Sequence, residues 1–304
     1  MNNSEYILIT GGKGYIGNHL CKKLLKFFNN IIIFDLIDNN DLCDFNSIDN
    51  LFKKYNIKYV IHLASFKHIN DSINNPLDYY HNNIIGSINL FNAMKKNNCF
   101  NIIFSSSASV YGKQRSPISE NVLLDNIVTN PYAKTKIYIE NILKDLHQSS
   151  NKWNIIILRY FNPVGFNNNN GLFYNLLNSF KNNTTFEIYG NHYKTRDGTC
   201  IRDFIHIDDL INSHIISLNY IINNNNIFKI YNVGTGYGFT IKEIVNNFNL
   251  IISNHGYEKI KYKYIKNRCG DIDINYADVS LINKELKWYH TKNLEDMIID
   301  TLNF

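Results

Sequence analysis

Apolar residues fall into short unbroken runs through the first half of the chain. Between those runs they recur every three or four positions. The runs Tyr6–Thr10, Ile31–Asp35, Tyr59–Leu63, Asn101–Ser105 and Asn154–Arg159 read as strands. Being unbroken rather than alternating, they predict strands buried on both faces. The stretches Ile16–Phe28, Ser47–Tyr55, Asn83–Lys96 and Tyr132–His147 read as helices. Strand and helix alternating at this spacing predict an α/β fold in which a parallel sheet carries helices on both faces. After Gly165 the rhythm breaks into Asn-rich loops, short helices and isolated strands such as Phe186–Tyr189, as expected of a smaller mixed lobe. The predicted division is 1–165 for the first domain and 166–304 for the second, with some later segments returning to the first.

Composition removes several classes of function. The 31 Lys+Arg against 26 Asp+Glu leave only +5, too thin and scattered for a nucleic-acid surface. No stretch of eighteen apolar residues is present, so no membrane span is expected. The opening MNNSEYILIT lacks a basic stub followed by an apolar run, which predicts a cytoplasmic protein. The 5 cysteines (Cys21, Cys43, Cys99, Cys200, Cys269) form no CxxC pair and suit a reducing compartment rather than a disulfide scaffold or zinc cluster. The 10 histidines show no HExxH or clustered spacing, so no metal is expected. Asparagine is roughly one residue in six; runs such as Asn167–Asn170 and Asn223–Asn226 read as connectors, since Asn tolerates turn conformations.

Two local patterns carry chemistry. The first is the turn Thr10-Gly11-Gly12-Lys13-Gly14-Tyr15-Ile16-Gly17, lying between a strand and a helix. Gly11, Gly14 and Gly17 let backbone approach a pyrophosphate at the positive helix N-terminus. Asp35, at the end of the second strand, accepts hydrogen bonds from a ribose and repels a 2′-phosphate, which favours NAD over NADP. Together with the alternation of elements this predicts a doubly wound dinucleotide-binding sheet of the Rossmann type.

The second pattern is Asn130-Pro131-Tyr132-Ala133-Lys134-Thr135-Lys136. Asn130 suits an N-cap and Pro131 the first helical position, which places Tyr132 and Lys136 on one helix face. A tyrosine titrates near 10 in water, too high for a base at neutral pH. A lysine one turn away and a positive nicotinamide ring are expected to lower it. Ser105-Ser106-Ser107 leaves the fourth predicted strand, and a serine there can hydrogen-bond the oxygen whose proton Tyr132 removes.

These motifs, with YVIHLASFK (59–67), Asn82-Asn83, RYFNPVG (159–165), GTCIRDFIHI (198–207), YNVGTG (231–236) and Gly270-Asp271 ahead of Ala277-Asp278, run nearly the length of the chain. In this order the chain resembles the UDP-glucose 4-epimerases of the extended short-chain dehydrogenase/reductase family. The resemblance implies NAD-dependent epimerisation at C4 of a UDP-hexose through a transient 4-keto sugar, with Ser107, Tyr132 and Lys136 as the catalytic trio. It implies cofactor contacts from Gly11, Gly14, Tyr15, Ile16, Gly17, Asp35, Asp44, Phe45, Leu63, Ala64, Lys67, Asn83, Tyr132, Lys136 and Phe161. Substrate contacts would come from Ser107, Tyr132, Asn162, Tyr189, Arg202, Arg268, Asp271 and Asn275.

The dehydratases and decarboxylases of the family carry a carboxylate just after the catalytic Ser/Thr, and here Ala108 and Ser109 stand there. The family also implies a homodimer through helices Asn83–Lys96 and Tyr132–His147. Three departures are visible. The loop after Gly165 is brief (Phe166–Asn170), so the family's Asn-Leu substrate pair has only Gly171-Leu172 as its loose counterpart. The connection from Asp35 to Asp44 is short, which implies an open adenosine end and looser NAD retention. Asn275 stands where a bulky tyrosine would restrict the sugar's 2-substituent, which implies room for N-acetylhexosamines. The alternatives are an epimerase or reductase acting on another nucleotide sugar, and a non-catalytic protein that binds NAD or a sugar nucleotide.

Overall fold

The unbroken apolar runs are strands of one sheet. The computed structural model describes residues 5–124, 128, 130–166, 168–268 and 271–303, so Asn167, Cys269 and Gly270, singled out above, lie outside the described residues. In chain order the first strands are β1 (Tyr6–Thr10), β2 (Ile31–Phe34), β3 (Ile57–His62), β4 (Asn101–Ser107), β5 (Asn154–Tyr160), β6 (Asn162–Val164) and β7 (Phe186–Tyr189). They are followed by β8 (Ile201–Arg202), β9 (Phe204–His206), β10 (Phe228–Val233), β11 (Phe239–Thr240), β12 (Tyr262–Ile265) and β13 (Ile274–Asn275). The helices are α1 (Tyr15–Leu24), α2 (Phe45–Lys54), α3 (Ile69–Asn74), α4 (Pro76–Tyr79), α5 (Gly86–Lys96) and α6 (Pro131–Ser149). The later ones are α7 (Gly171–Lys181), α8 (Ile207–Asn223), α9 (Ile241–Asn254), α10 (Ser280–Leu286) and α11 (Leu294–Leu302).

The main sheet has 6 strands in the order β10-β5-β4-β3-β1-β2. Strand β1 pairs parallel with β2 and β3, and β3 pairs parallel with β4. Leu8, Val60 and Ile102 stand in register across three strands and are buried in one cluster with Phe52 of α2 and Leu90 and Met94 of α5. Their neighbours Ile7, Ile9, Ile61 and Ile103 point to the other face and are equally buried. Both faces are therefore covered, as the unbroken runs require of a doubly wound sheet. The predicted helix from Asn83 differs at its start: Tyr80–Ile85 is a π-helical turn, and α5 proper begins at Gly86.

Contacts divide the chain into two compact units rather than at one cut. The first gathers Met1–Gly112, Leu123–Arg159 and Ile211–Tyr231; the second gathers Lys113–Val122, Tyr160–Leu210 and Asn232–Phe304. A cut at 165 therefore misses Lys113–Val122, which joins the second unit because Ile118 donates its N–H to Tyr276 O and bridges Ala277. The second unit has its own core, in which Phe173 and Leu176 of α7 pack with Ile244 and Phe248 of α9 and Met297 and Ile298 of α11. Two of its helices start on capping boxes, Thr240 with Glu243 on α9 and Asn293 with Asp296 on α11.

Asp203, between β8 and β9, ties the second unit together. Its carboxylate is fully buried and accepts from Thr235 N and Oγ1, Gly236 N and Ala277 N. Removing it strands three backbone N–H groups, each costing about 1–3 kcal/mol when buried without a partner. Asp203→Ala is therefore expected to destabilise the protein by at least about 3 kcal/mol, measured as a shift in urea midpoint; a loss below about 1 kcal/mol would show that water replaces the carboxylate.

Candidate active site

In the first unit, glycine identity in the first turn follows from packing. A Cβ on Gly11, which has φ +70, would lie 2.7 Å from Ala64 N, and one on Gly17 would lie 2.2 Å from Gly11 O. Gly11 lets the turn close against the chain leaving β3, and Gly17 lets the first turn of α1 close against Gly11 and Gly12. A Cβ on Gly14 would meet only Gly11 O, at 3.4 Å, so that side of the turn stays open. Gly14 is also the N-cap of α1 and supplies no side-chain cap, while Tyr15 and Ile16 occupy the first helical turn. Backbone N–H groups at such a helix start suit a phosphate oxygen.

Asp35 is 8 % exposed and accepts from Lys13 N at 2.8 Å and Ile37 N at 3.0 Å, which binds the glycine turn to the end of β2. The residues present thus fit a dinucleotide: an open phosphate turn on a bare helix start, with a carboxylate at the end of the next strand. The link from Asp35 to Asp44 is a single 3-10 turn, Leu36–Asp38, with Leu36 and Ile37 exposed. Asp44 caps α2 by accepting from Asn46 N, and Phe45 packs on the main core.

The segment after β3 is held from beneath. Leu63 N donates to Thr10 O, and Ala64 N to Thr10 Oγ1. Asn83 is buried and spends its amide inward, donating to Phe66 O and Thr135 Oγ1 and accepting from Phe66 N. It thereby fixes the chain on which Lys67 stands and the first turn of α6. His62, 1 % exposed, bridges Thr10 Oγ1 at 2.7 Å and Ser87 Oγ at 2.9 Å. Burial, helped by the charge of Lys136, pushes His62 down to about 3, so it is a neutral strut at any physiological pH.

Ser107, Tyr132 and Lys136, the expected catalytic trio, stand at the end of β4 and the start of α6. Asn130 Oδ1 accepts from Ala133 N, with Pro131 at the first helical position, as the sequence predicts. Ser107, the last residue of β4, hydrogen-bonds the Tyr132 hydroxyl. Lys136 Nζ is buried, donates to Ser105 O at 2.7 Å, and sits 4.8 Å from the Phe104 ring and 5.9 Å from the Tyr132 ring.

Burial governs the acid–base balance of this pair. Desolvation pushes Tyr132 up, and only the Ser107 hydroxyl opposes it. Lys136 is pushed down to about 7 by burial, with the charge of Glu140 acting to raise it. Burial thus holds both groups toward their neutral forms.

Sequence reasoning missed what holds Lys136. Glu140, one turn further along α6, accepts from Ser106 Oγ at 2.5 Å and Arg159 Nε at 3.1 Å, and Arg159 NH2 reaches its other oxygen at 2.6 Å. Arg159 also donates to Tyr111 Oη and stacks on that ring at 4.9 Å. The available signal was Glu140 continuing the Tyr132–Lys136 spacing by four residues.

In the second unit, Arg202 NH2 donates to Asp271 Oδ1 at 2.6 Å, and the Tyr193 hydroxyl donates to Asp271 Oδ2 at 3.3 Å. Tyr193, not anticipated, is pushed up to about 12 by burial and then by the Asp271 charge. The Arg268 guanidinium lies 3.9 Å over the Tyr189 ring. Asn162 donates to Asp203 O at 2.6 Å, Phe161 is buried beside it in the chain, and Asn275 is 9 % exposed. The structure therefore groups Arg202 with Asp271 and Arg268 with Tyr189, a pair of cations beside aromatic and carboxylate partners that suits a nucleoside diphosphate.

Residues 7–234 match the NAD dependent epimerase/dehydratase family. The chain belongs to that family. Among its relatives, the UDP-glucose 4-epimerase of Bacillus subtilis is 36% identical over 329 residues, covering 97% of this chain and 95% of that protein. The UDP-glucose 4-epimerase of Stenotrophomonas maltophila, solved with NAD and formylated UDP-arabinopyranose, superposes with a TM-score of 0.90 at 30% identity, over 98% of this chain and 97% of that one. The enzyme of Bifidobacterium longum, solved with NAD+ and UDP, gives a TM-score of 0.88 at 33% identity over the same shares.

Two outcomes test the geometry of the first unit. Tyr132→Phe is expected to lower kcat by about 10²–10⁴-fold while the protein keeps its bound NAD; undiminished turnover would remove Tyr132 from the chemistry. Glu140→Gln removes the charge that raises Lys136, so the ammonium is lost at lower pH. The alkaline limb of kcat/KM should therefore move to lower pH, and an unmoved limb would separate Glu140 from Lys136.

Proposed function

We infer that this chain is a UDP-glucose 4-epimerase, interconverting UDP-galactose and UDP-glucose with NAD as a retained cofactor. The observation that carries the reading is a Ser107–Tyr132–Lys136 site at the end of β4, in a chain 36% identical end to end to a UDP-glucose 4-epimerase. NAD, when bound, takes a hydride from C4 of the sugar and returns it. The turn at Gly11, Gly14 and Gly17, with Tyr15 and Ile16, would hold its pyrophosphate, and Asp35 its adenosine ribose. Leu63, Ala64 and Lys67 would line its nicotinamide side.

Tyr132 removes and later restores the proton on O4 of the hexose, and Ser107 donates a hydrogen bond to the same oxygen. Lys136 places an ammonium near the Tyr132 ring; the positive nicotinamide adds the field that lowers the phenol. Because the two half-reactions are the reverse of one another, the base that takes the proton is the acid that returns it. Arg202, Arg268, Asp271, Tyr189, Asn162 and Asn275 of the second unit would hold the uridine diphosphate and the sugar ring. For Arg202 this means exchanging its ion pair with Asp271 for the diphosphate.

The apolar residues Ile69, Ile73, Leu77, Ile85 and Tyr138 are exposed on α3, α4, the π-helical turn and α6 of the first unit. Such a patch on helices supports the reading of a homodimer joined through this face. The free thiols of Cys21, Cys43, Cys99 and Cys200 support a cytoplasmic setting. Among the described residues, no helix is long and apolar enough to cross a membrane.

Purified protein incubated with UDP-galactose and no added NAD is expected to form UDP-glucose, separated by chromatography. Product only on adding NAD would show that the cofactor exchanges rather than being retained. No product under either condition would overturn the assignment in favour of another nucleotide sugar or a reductase. The same assay with UDP-N-acetylgalactosamine tests the room at Asn275, and no turnover would show that Asn275 does not admit the acetamido group.

A further inference from the structure

The second unit contains a cavity of about 660 Å³ that includes none of the residues assigned above to UDP. Its floor is the small sheet β11-β8-β13. Ile201 and Ile274 are partners in register across β8 and β13, and both line the cavity. The next pair in register is Arg202 with Asn275, and neither lines it. Because side chains alternate along a strand, the cavity lies on the face of this sheet opposite Arg202 and Asn275.

The walls are cationic. Lys113 and Arg115 stand on one side, on the segment that hydrogen-bonds to β13 through Ser116, and Lys194 and Arg196 stand on the turn before β8. Arg196 is fixed by Glu243, with its Nε 2.6 Å from Oε1, and by Gly238 O at 2.9 Å. Lys113, Arg115 and Lys194 are exposed and make no ion pair among the described residues. Asp273 is the acidic residue of the lining. Four cations against Asp273 and Glu243 leave two positive charges in excess at the mouth, and Tyr237, 62% exposed, offers a ring beside them. The turn that carries Lys194 and Arg196 is rigid: Asp197 accepts from Thr199 N and Oγ1 and from Thr240 Oγ1.

We propose that this cavity is a second binding site, separate from the catalytic one, for a small ligand bearing a diphosphate. Unpaired lysine and arginine side chains converging from two segments match the spread charge of a diphosphate better than that of a single carboxylate. A rigid wall lowers the ordering cost of binding.

The test is calorimetric titration of inorganic pyrophosphate into the protein saturated with UDP, at low salt. The expected result is one saturable event that weakens as salt is raised. In an Arg115→Glu/Lys194→Glu variant it should weaken at least tenfold, while the KM for UDP-galactose stays unchanged. Arg202→Ala, on the other face of the sheet, should leave the pyrophosphate event in place. Absence of any event beyond UDP binding, or equal binding by the Arg115→Glu/Lys194→Glu variant, would overturn the proposal. The pyrophosphate titrations are independent of turnover, so a failed epimerase assay would not decide them.

Discussion

Burying an amine beside a phenol is the constraint around which the first unit is arranged. An ammonium out of water is costly enough that a lone buried lysine gives up its proton instead. Lys136 is brought part of the way, to about 7, and no further. One carbonyl at 2.7 Å, the face of Phe104 and the carboxylate of Glu140 keep the charged form within reach. Glu140 is in turn anchored by Arg159 and Ser106, so the field at Lys136 has a fixed source. The phenol of Tyr132, pushed the other way by the same burial, waits on the positive charge that NAD would add. Bound NAD would thus complete the base as well as supply the hydride acceptor.

The same economy governs the phosphate turn. Gly11 is set by the backbone of the chain leaving β3 and Gly17 by the backbone of the turn itself, while Gly14 leaves the outer face clear. Asp35 is tied to Lys13 N, so the carboxylate that would meet the ribose is placed by the turn that would meet the pyrophosphate. The His62 bridge from Thr10 to Ser87, and Asn83 reaching from Phe66 to Thr135, carry that placement to α6. The site is positioned by buried polar links between strand ends rather than by loops alone.

Much of this was legible in the sequence where the signal is local. Five strands of the main sheet announce themselves as unbroken apolar runs, the glycine spacing places the phosphate turn, and Asn130-Pro131 marks the start of α6. The small strands of the second unit were not legible, since β8, β11 and β13 are 2 residues each, too short for any period. Nor were pairings between distant positions, such as Arg202 with Asp271 or Arg159 with Glu140, because single residues carry no mark of their partners. The burial that raises Tyr132 was not legible for a related reason: proximity to lysine is visible in a helix spacing, whereas burial is a property of the whole fold.

The central claim is that hydrogen leaves C4 as hydride and comes back from the cofactor, with only the O4 proton passing through Tyr132. Turnover of UDP-galactose in heavy water, followed by proton NMR of the C4 position of the UDP-glucose formed, tests it most directly. The account requires the C4 hydrogen to be retained in the product, because hydride held on the nicotinamide does not exchange with solvent. Deuterium at C4 in proportion to product would mean that a proton is abstracted from carbon, and would contradict it.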